Sequence, residues 1–141
     1  HNSFFDMQVS GDTEAKVEKI VNSVSLDDFL RDRLIDSVSV LKIDAEGSEL
    51  DVLKGSEQLL VNQKIDFIQF EYGDAALAAR VFLTDIVALL NSFGYTAYKI
   101  MPRSLKQIQA GANLNRSYSC SNFFAISAKS SYKLKMYISG V

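Results

Sequence analysis

Two stretches of this 141-residue chain place carboxylates where an apolar run stops: Asp44-Ala45-Glu46-Gly47 after Val38 to Ile43, and Glu71-Tyr72-Gly73 after Ile65 to Phe70. Acids in such places can hold hydroxyls, move protons or bind an oxygen-preferring cation. Other catalytic sets are scarce. The only histidine is His1 and the only cysteine is Cys120. A Ser-His-Asp or Cys-His mechanism would have to recruit a chain-end residue, and a zinc site needs more Cys and His than are present. Cys120 stands just before the apolar run Asn122 to Ser127 and reads as a small buried filler.

The patterning predicts the elements that carry these acids. Asn2 to Val9 reads as a short strand and Ser10-Gly11-Asp12 as a turn. Ser25 with Asp27-Asp28 starts a short helix to about Arg33. Val38 to Ile43 is a buried strand ending at Asp44. From Ser48, Leu50, Leu53, Leu59 and Leu60 fall near helical spacing, broken at Gly55-Ser56 with Ser56 capping the second piece. Ile65 to Phe70 is a second strand, Thr84 to Phe93 a helix capped by Thr84 and stopped by Gly94, and Tyr95 to Ile100 a third strand. Met101 to Ser121 reads as a long polar loop with Arg103, Lys106 and Arg116, and Asn122 to Ile126 as a fourth strand. Tyr132 to Ile138 alternates like an edge strand. Phe67, Phe70, Phe82, Phe93, Phe123 and Phe124 read as core. Two right-handed crossovers give an α/β fold with a mostly parallel sheet, and ligands in such sheets sit beyond the carboxyl ends of the strands.

Bulk properties narrow the partners. A net charge of −2 supplies no field for nucleic acid or an anionic membrane. No apolar run approaches the ~18 residues of a membrane helix. A single cysteine excludes an internal disulfide and fits a reducing, cytoplasmic setting. Nothing in the sequence encodes an oligomeric state.

Lys42 to Gly55, K-I-D-A-E-G-S-E-L-D-V-L-K-G, resembles the K-I-D-x-E-G-x-E-x-x-V-L-x-G signature of FkbM-type methyltransferases. In that family the signature sits at the fourth strand of a Rossmann-like S-adenosylmethionine fold. Val24 to Phe29 is similar to the family's LDD helix start, Ile68 to Glu71 to its fifth strand, Gly94-Tyr95 to the start of its sixth, and Asn122 to Ile126 to its last. The resemblance covers about residues 22–127. It implies the C-terminal portion of a Rossmann-like class I methyltransferase fold. The family's Gly-rich first turn, roughly D-x-G-A-N-x-G, has no counterpart, because no G-x-G occurs here. Residues 1–141 are therefore expected to form one partial domain without the N-terminal cofactor-binding strands. The missing half would leave apolar surface bare beside the fourth strand.

The resemblance implies S-adenosylmethionine-dependent O-methylation of a hydroxyl on a sugar or secondary metabolite. Such transfer needs an aligned acceptor and often a proton acceptor. Asp44 is the first candidate for that base. Glu46 can bind an acceptor hydroxyl or orient Asp44, and Glu71 can add a third carboxylate. Asp44, Ala45 and Gly47 are candidate cofactor contacts; Lys42, Tyr72, Arg103 and Arg116 are candidate acceptor contacts. Each has a structural alternative. Asp44 can cap the next helix, Glu46 can complement its N-terminus, Tyr72 can be core, and the arginines can be solubilising surface. Glu49, Asp51 and Lys54 read as a solvated helix face. Three carboxylates also suit Mg²⁺ or Mn²⁺, though the spacing does not require a metal. A degenerate binding or assembly module and a carboxylate-metal hydrolase or nucleotidyl enzyme are the competing functions.

Overall fold

The computed structural model describes residues 22–111, 114 and 120–133. The strand expected at Asn2 to Val9, the turn at Ser10-Gly11-Asp12 and most of the tail after Tyr132 lie outside the described residues. Residues 131–133, where that tail begins, are helical.

Helix α1 (Leu26–Arg31) starts at Ser25, whose hydroxyl accepts from the Asp28 amide at 3.1 Å. Its first-turn acid Asp27 reaches across to another element. Asp27 Oδ2 and Oδ1 accept from the amides of Gln58 (2.8 Å) and Leu59 (3.1 Å), the open start of α3 (Glu57–Val61). The sequence reading put Ser56 in that capping role. Instead Ser56 donates its hydroxyl to Val52 O at 2.7 Å, one turn back in α2 (Glu49–Lys54). A carboxylate on two helix-start amides is stronger than a hydroxyl on one, and it ties α1 to α3.

Strands β1 (Val38–Ile43) and β2 (Ile65–Tyr72) pair in parallel, with Ile43 opposite Phe70. Helices α4 (Asp74–Ala78) and α5 (Leu83–Ser92) lead to β3 (Tyr95–Met101). The stretch from Met101 to Ser121 is not all loop: Ser104–Ile108 forms β4, an antiparallel hairpin partner of β3. Strand β5 (Ser121–Ser127) closes the sheet.

The strand order is β1-β2-β5-β3-β4. A mostly parallel sheet was expected and is not found: only β1–β2 is parallel, while β2–β5, β5–β3 and β3–β4 are antiparallel. β2 and β3 do run the same way, since each is antiparallel to β5. They are not neighbours because β5 enters between them from the opposite direction. Patterning reports that a strand is buried on both faces; it does not report which strand fills the gap.

The core lies under β2 and β5. Cross-strand Phe70 and Phe123 stack at 5.4 Å between centroids, and Phe67 stacks diagonally on Phe124 at 5.6 Å. Each such pair is worth ~0.5–1.5 kcal/mol beyond its buried area. Leu83, Ile86, Val87 and Leu90 form the buried stripe of α5. Three of the expected core aromatics depart: Phe82 is 44% exposed at the N-cap position of α5, and Phe67 and Phe124 are only partly buried, on the other face of the sheet from Phe70 and Phe123. Thr84 is not the cap. It lies inside the helix and accepts from the Gly111 amide at 2.9 Å, fastening the segment after β4 to α5. Gly94 does stop the helix, at φ +77°, a conformation side chains resist. β1 is one of the two edge strands among the described residues and leaves Val40 58% exposed. No helix among the described residues is long and apolar enough to cross a membrane.

Candidate functional site

Parallel pairing brings the carboxyl ends of β1 and β2 side by side. Asp44 follows the first and Glu71 is the next-to-last residue of the second. Between β1 and α2 the chain reverses sharply, with Glu46 at φ +47° and Gly47 at φ +101°. Left-handed backbone costs an ordinary residue ~1–2 kcal/mol, so Glu46 is held there by its surroundings. Gly47 is buried, and a Cβ at that position would lie 2.8 Å from Ala75 O and 3.0 Å from Ala79 Cβ. Its close approach is thus to α4 and the chain beyond it.

Glu49 fastens the reversal. Its Oε1 accepts from the Ala45 amide (3.2 Å) and the Gly47 amide (3.1 Å). Its side chain is only 3% exposed, and its Oε2 accepts no hydrogen bond. The sequence reading placed Glu49 on a solvated face, and the structure buries it. A usable signal existed: a glutamate at the first helical position, two residues after a glycine turn, can reach back to orphan amides as a capping-box acid does.

A cleft of about 180 Å³ opens beside this turn, lined by Asp44, Glu46, Glu49, Glu71, Asp74 and Cys120, with Gly73, Ala75 and Ala76 as its small-residue wall. The antiparallel entry of β5 explains Cys120. Glu71 pairs with Asn122, so the residues just before β5 arrive at the carboxyl ends of β1 and β2. Cys120 is exposed rather than a buried filler, and its thiol donates to Glu71 Oε1. That hydrogen bond, with the charges of Glu71, Asp74 and Glu46, pushes the thiol up from its ordinary range. It is protonated at neutral pH and a poor nucleophile.

The structure brings Asp44, Glu46 and Glu71 together, as the sequence reading expected. Lys42 lies one pleat back, and its Nζ contacts Asp44 Oδ2 at 3.0 Å. Both side chains are solvent-exposed, so the pair contributes ~0–1 kcal/mol and can rearrange when a ligand enters. The other expected contacts fall elsewhere. Tyr72 is buried, packs edge-on against Phe123 and donates its hydroxyl to Val81 O at 3.3 Å. Arg103 is exposed in the β3–β4 turn and does not line the cleft. Arg116 lies outside the described residues. Asp74 and Glu49 join the cleft unforeseen. Among the described residues, no group of three or more His, Cys, Asp or Glu side chains converges to hold a metal ion.

The arrangement suits hydroxyl recognition and proton removal: several carboxylates face one small cleft, and among the described residues that line it none is basic. Comparison with protein-family models matches residues 2–97 to the methyltransferase FkbM domain, well over half the chain. No curated protein and no solved structure matches it.

Proposed function

The chain belongs to the FkbM methyltransferase domain family, and on that premise we propose that it supplies the acceptor side of an S-adenosylmethionine-dependent O-methyltransferase acting on a hydroxyl of a sugar or secondary metabolite. One observation carries the reading: Asp44 and Glu71 meet at adjacent parallel strand ends, in a cleft open to a small molecule.

The expected cofactor contacts fit the methyl donor poorly. The Ala45 and Gly47 amides are already taken by Glu49, and Gly47 packs on Ala75. The cleft of about 180 Å³ is also smaller than the roughly 300–1,000 Å³ of sites that enclose a whole cofactor. No step is therefore derived through the donor, whose contribution when bound is an electrophilic methyl group. The chain's own residues act on the acceptor. Asp44, 46% exposed, keeps one carboxylate oxygen on Lys42 and turns the other to the acceptor hydroxyl, from which it takes the proton. Lys42 orients that carboxylate through its ammonium contact. Glu46 and Glu71 accept from neighbouring hydroxyls and fix the acceptor in line.

The test is methyl transfer from S-adenosylmethionine by the natural polypeptide carrying this chain, against a panel of sugar and alcohol acceptors. Asp44→Asn is expected to lower the rate by ~10²–10³-fold with the fold intact, the usual weight of a general base. Unchanged transfer in that variant would remove Asp44 from the chemistry. No transfer to any acceptor by the folded wild-type protein would leave a non-catalytic binding module.

A further inference from the structure

The turn beside Asp44 has a shape that its sequence does not favour. The Ser48 amide donates to Ala45 O at 3.1 Å and closes a turn over residues 45–48. Both central residues are left-handed, Glu46 at φ +47° and Gly47 at φ +101°. Turns of that kind take Gly, Asn or Asp at those places, and a glutamate there is strained. Glu46 nonetheless stands at that position and lines the cleft with Asp44. Strain kept at a cleft-lining residue points to use rather than accident. Glu49 holds the turn in this shape. Its Oε1 accepts from the amides of Ala45 (3.2 Å) and Gly47 (3.1 Å). Those N–H groups belong to the rigid peptide planes that follow Asp44 and Glu46, so one oxygen fixes ψ at both acids. Glu49 is buried, where a hydrogen bond is electrostatically stronger than in water. One turn along α2, Leu53 is fully buried in the core and sets where the helix lies.

We propose that Glu49 is a positioning residue for methyl transfer. It acts through the backbone rather than on the acceptor, and aims the Asp44 and Glu46 carboxylates into the cleft. The inference rests on the acceptor-site reading above and adds to it a residue that the reading left as part of the fold. Support runs from the core to the chemistry: Leu53 anchors α2, Glu49 at its first position reaches back to two amides, and the turn so held presents two acids. Alignment is what a base and an acceptor most need, and a misplacement of about 1 Å can cost about 10²-fold in rate.

The experiment is a double-mutant cycle on kcat, with the natural polypeptide carrying this chain and the best acceptor of the panel. Glu49→Ala removes both bonds and is expected to lower kcat by about tenfold or more. Glu49→Gln keeps an oxygen for the two amides and is expected to retain most of the wild-type kcat. In the Asp44→Asn background, Glu49→Ala is expected to cost under about threefold, because the main group it aims is already gone. Losses of equal size in the two backgrounds would mark a general structural role and overturn the proposal. So would a kcat for Glu49→Ala within about twofold of wild type, since nothing would then depend on the two bonds. A loss in Glu49→Gln as large as in Glu49→Ala would also overturn it. Should Glu49→Ala fail to fold, judged by circular dichroism and Tm, Glu49→Asp carries the same cycle with the same expectation. Its carboxylate is one methylene short of the two amides. A wild-type rate in Asp44→Asn would sink the acceptor-site reading and this inference together. Additive losses beside an impaired Asp44→Asn would sink this inference alone.

Discussion

The two ends of β2 treat charge in opposite ways. At its start, polar groups are matched. Asp66 accepts from the Lys133 ammonium and the Ser130 hydroxyl, which together hold its carboxyl below the usual 3.8. Gln63 spends its carbonyl on the Lys129 amide (3.0 Å) and its NH₂ on Phe93 O (3.3 Å). Tyr95 donates to Ile65 O at 2.7 Å. At the far end of the same strand, Glu71 has a thiol for a partner and Glu49 leaves an oxygen bare among further acids. The first end closes its bonding within the protein, as structural polar groups do. The second leaves bonding open, as sites that receive ligands do.

That contrast can be broken at several points. The cleft end depends on backbone more than on charge, so Gly47→Ala should have the largest effect. A left-handed φ and a Cβ at 2.8 Å from Ala75 O together should cost ~2–4 kcal/mol in urea unfolding. A loss under ~1 kcal/mol would mean that the turn yields easily. Asp66→Asn should cost ~1–2 kcal/mol at pH 7, the scale of a hydrogen bond to a charged group. The sign follows from the lowered carboxyl: its contribution is present above pH 3.8 and fades as pH falls through the folded-state value, so variant and wild type should converge in acid.

Tyr95 gives an alkaline counterpart. Burial pushes its hydroxyl up from 10.0 to about 12. A raised value stabilises the fold below pH 10 and loses that contribution between pH 10 and 12. Tyr95→Phe should therefore flatten this part of the stability profile, and an unchanged slope would show that Tyr95 titrates as it does in the unfolded chain. The smallest effect belongs to Cys120. Its alkylation by iodoacetamide at pH 8 should be slow, and Glu71→Gln should accelerate it by roughly several-fold as the thiol falls toward its ordinary range. No acceleration would remove Glu71 as the source of the cleft's field at that sulfur.

Much of the layout was legible in the chain. The strand Val38–Ile43 and its acid-bearing end follow from apolar patterning stopped by Asp44, and the Ser25 cap and the Gly94 stop follow from local backbone chemistry. Those features depend on residues a few positions apart. The failures depend on residues tens of positions apart. Asp27 caps a helix 31 residues on, where the nearby Ser56 looked sufficient. Thr84 has a cap's identity yet serves a loop amide 27 residues away. Tyr72 could equally have faced the cleft or the core, and its packing on Phe123 of β5 decided for the core.

Sequence alone determined that an acidic strand-to-helix turn exists at Asp44 to Gly47, that Glu71 ends a second strand, and that both belong to an FkbM-like block. Each is a matter of local periodicity and turn chemistry. Only the tertiary structure decided what surrounds them. Strand β5 pairs between β2 and β3, making the sheet mixed and delivering Cys120 to the acids. The packing of α4 on the turn encloses Gly47, and Glu49 is buried with one oxygen unused. The reason is physical: pairing partners and burial are settled by long-range competition for hydrogen bonds and apolar contact, which a residue's near neighbours do not record.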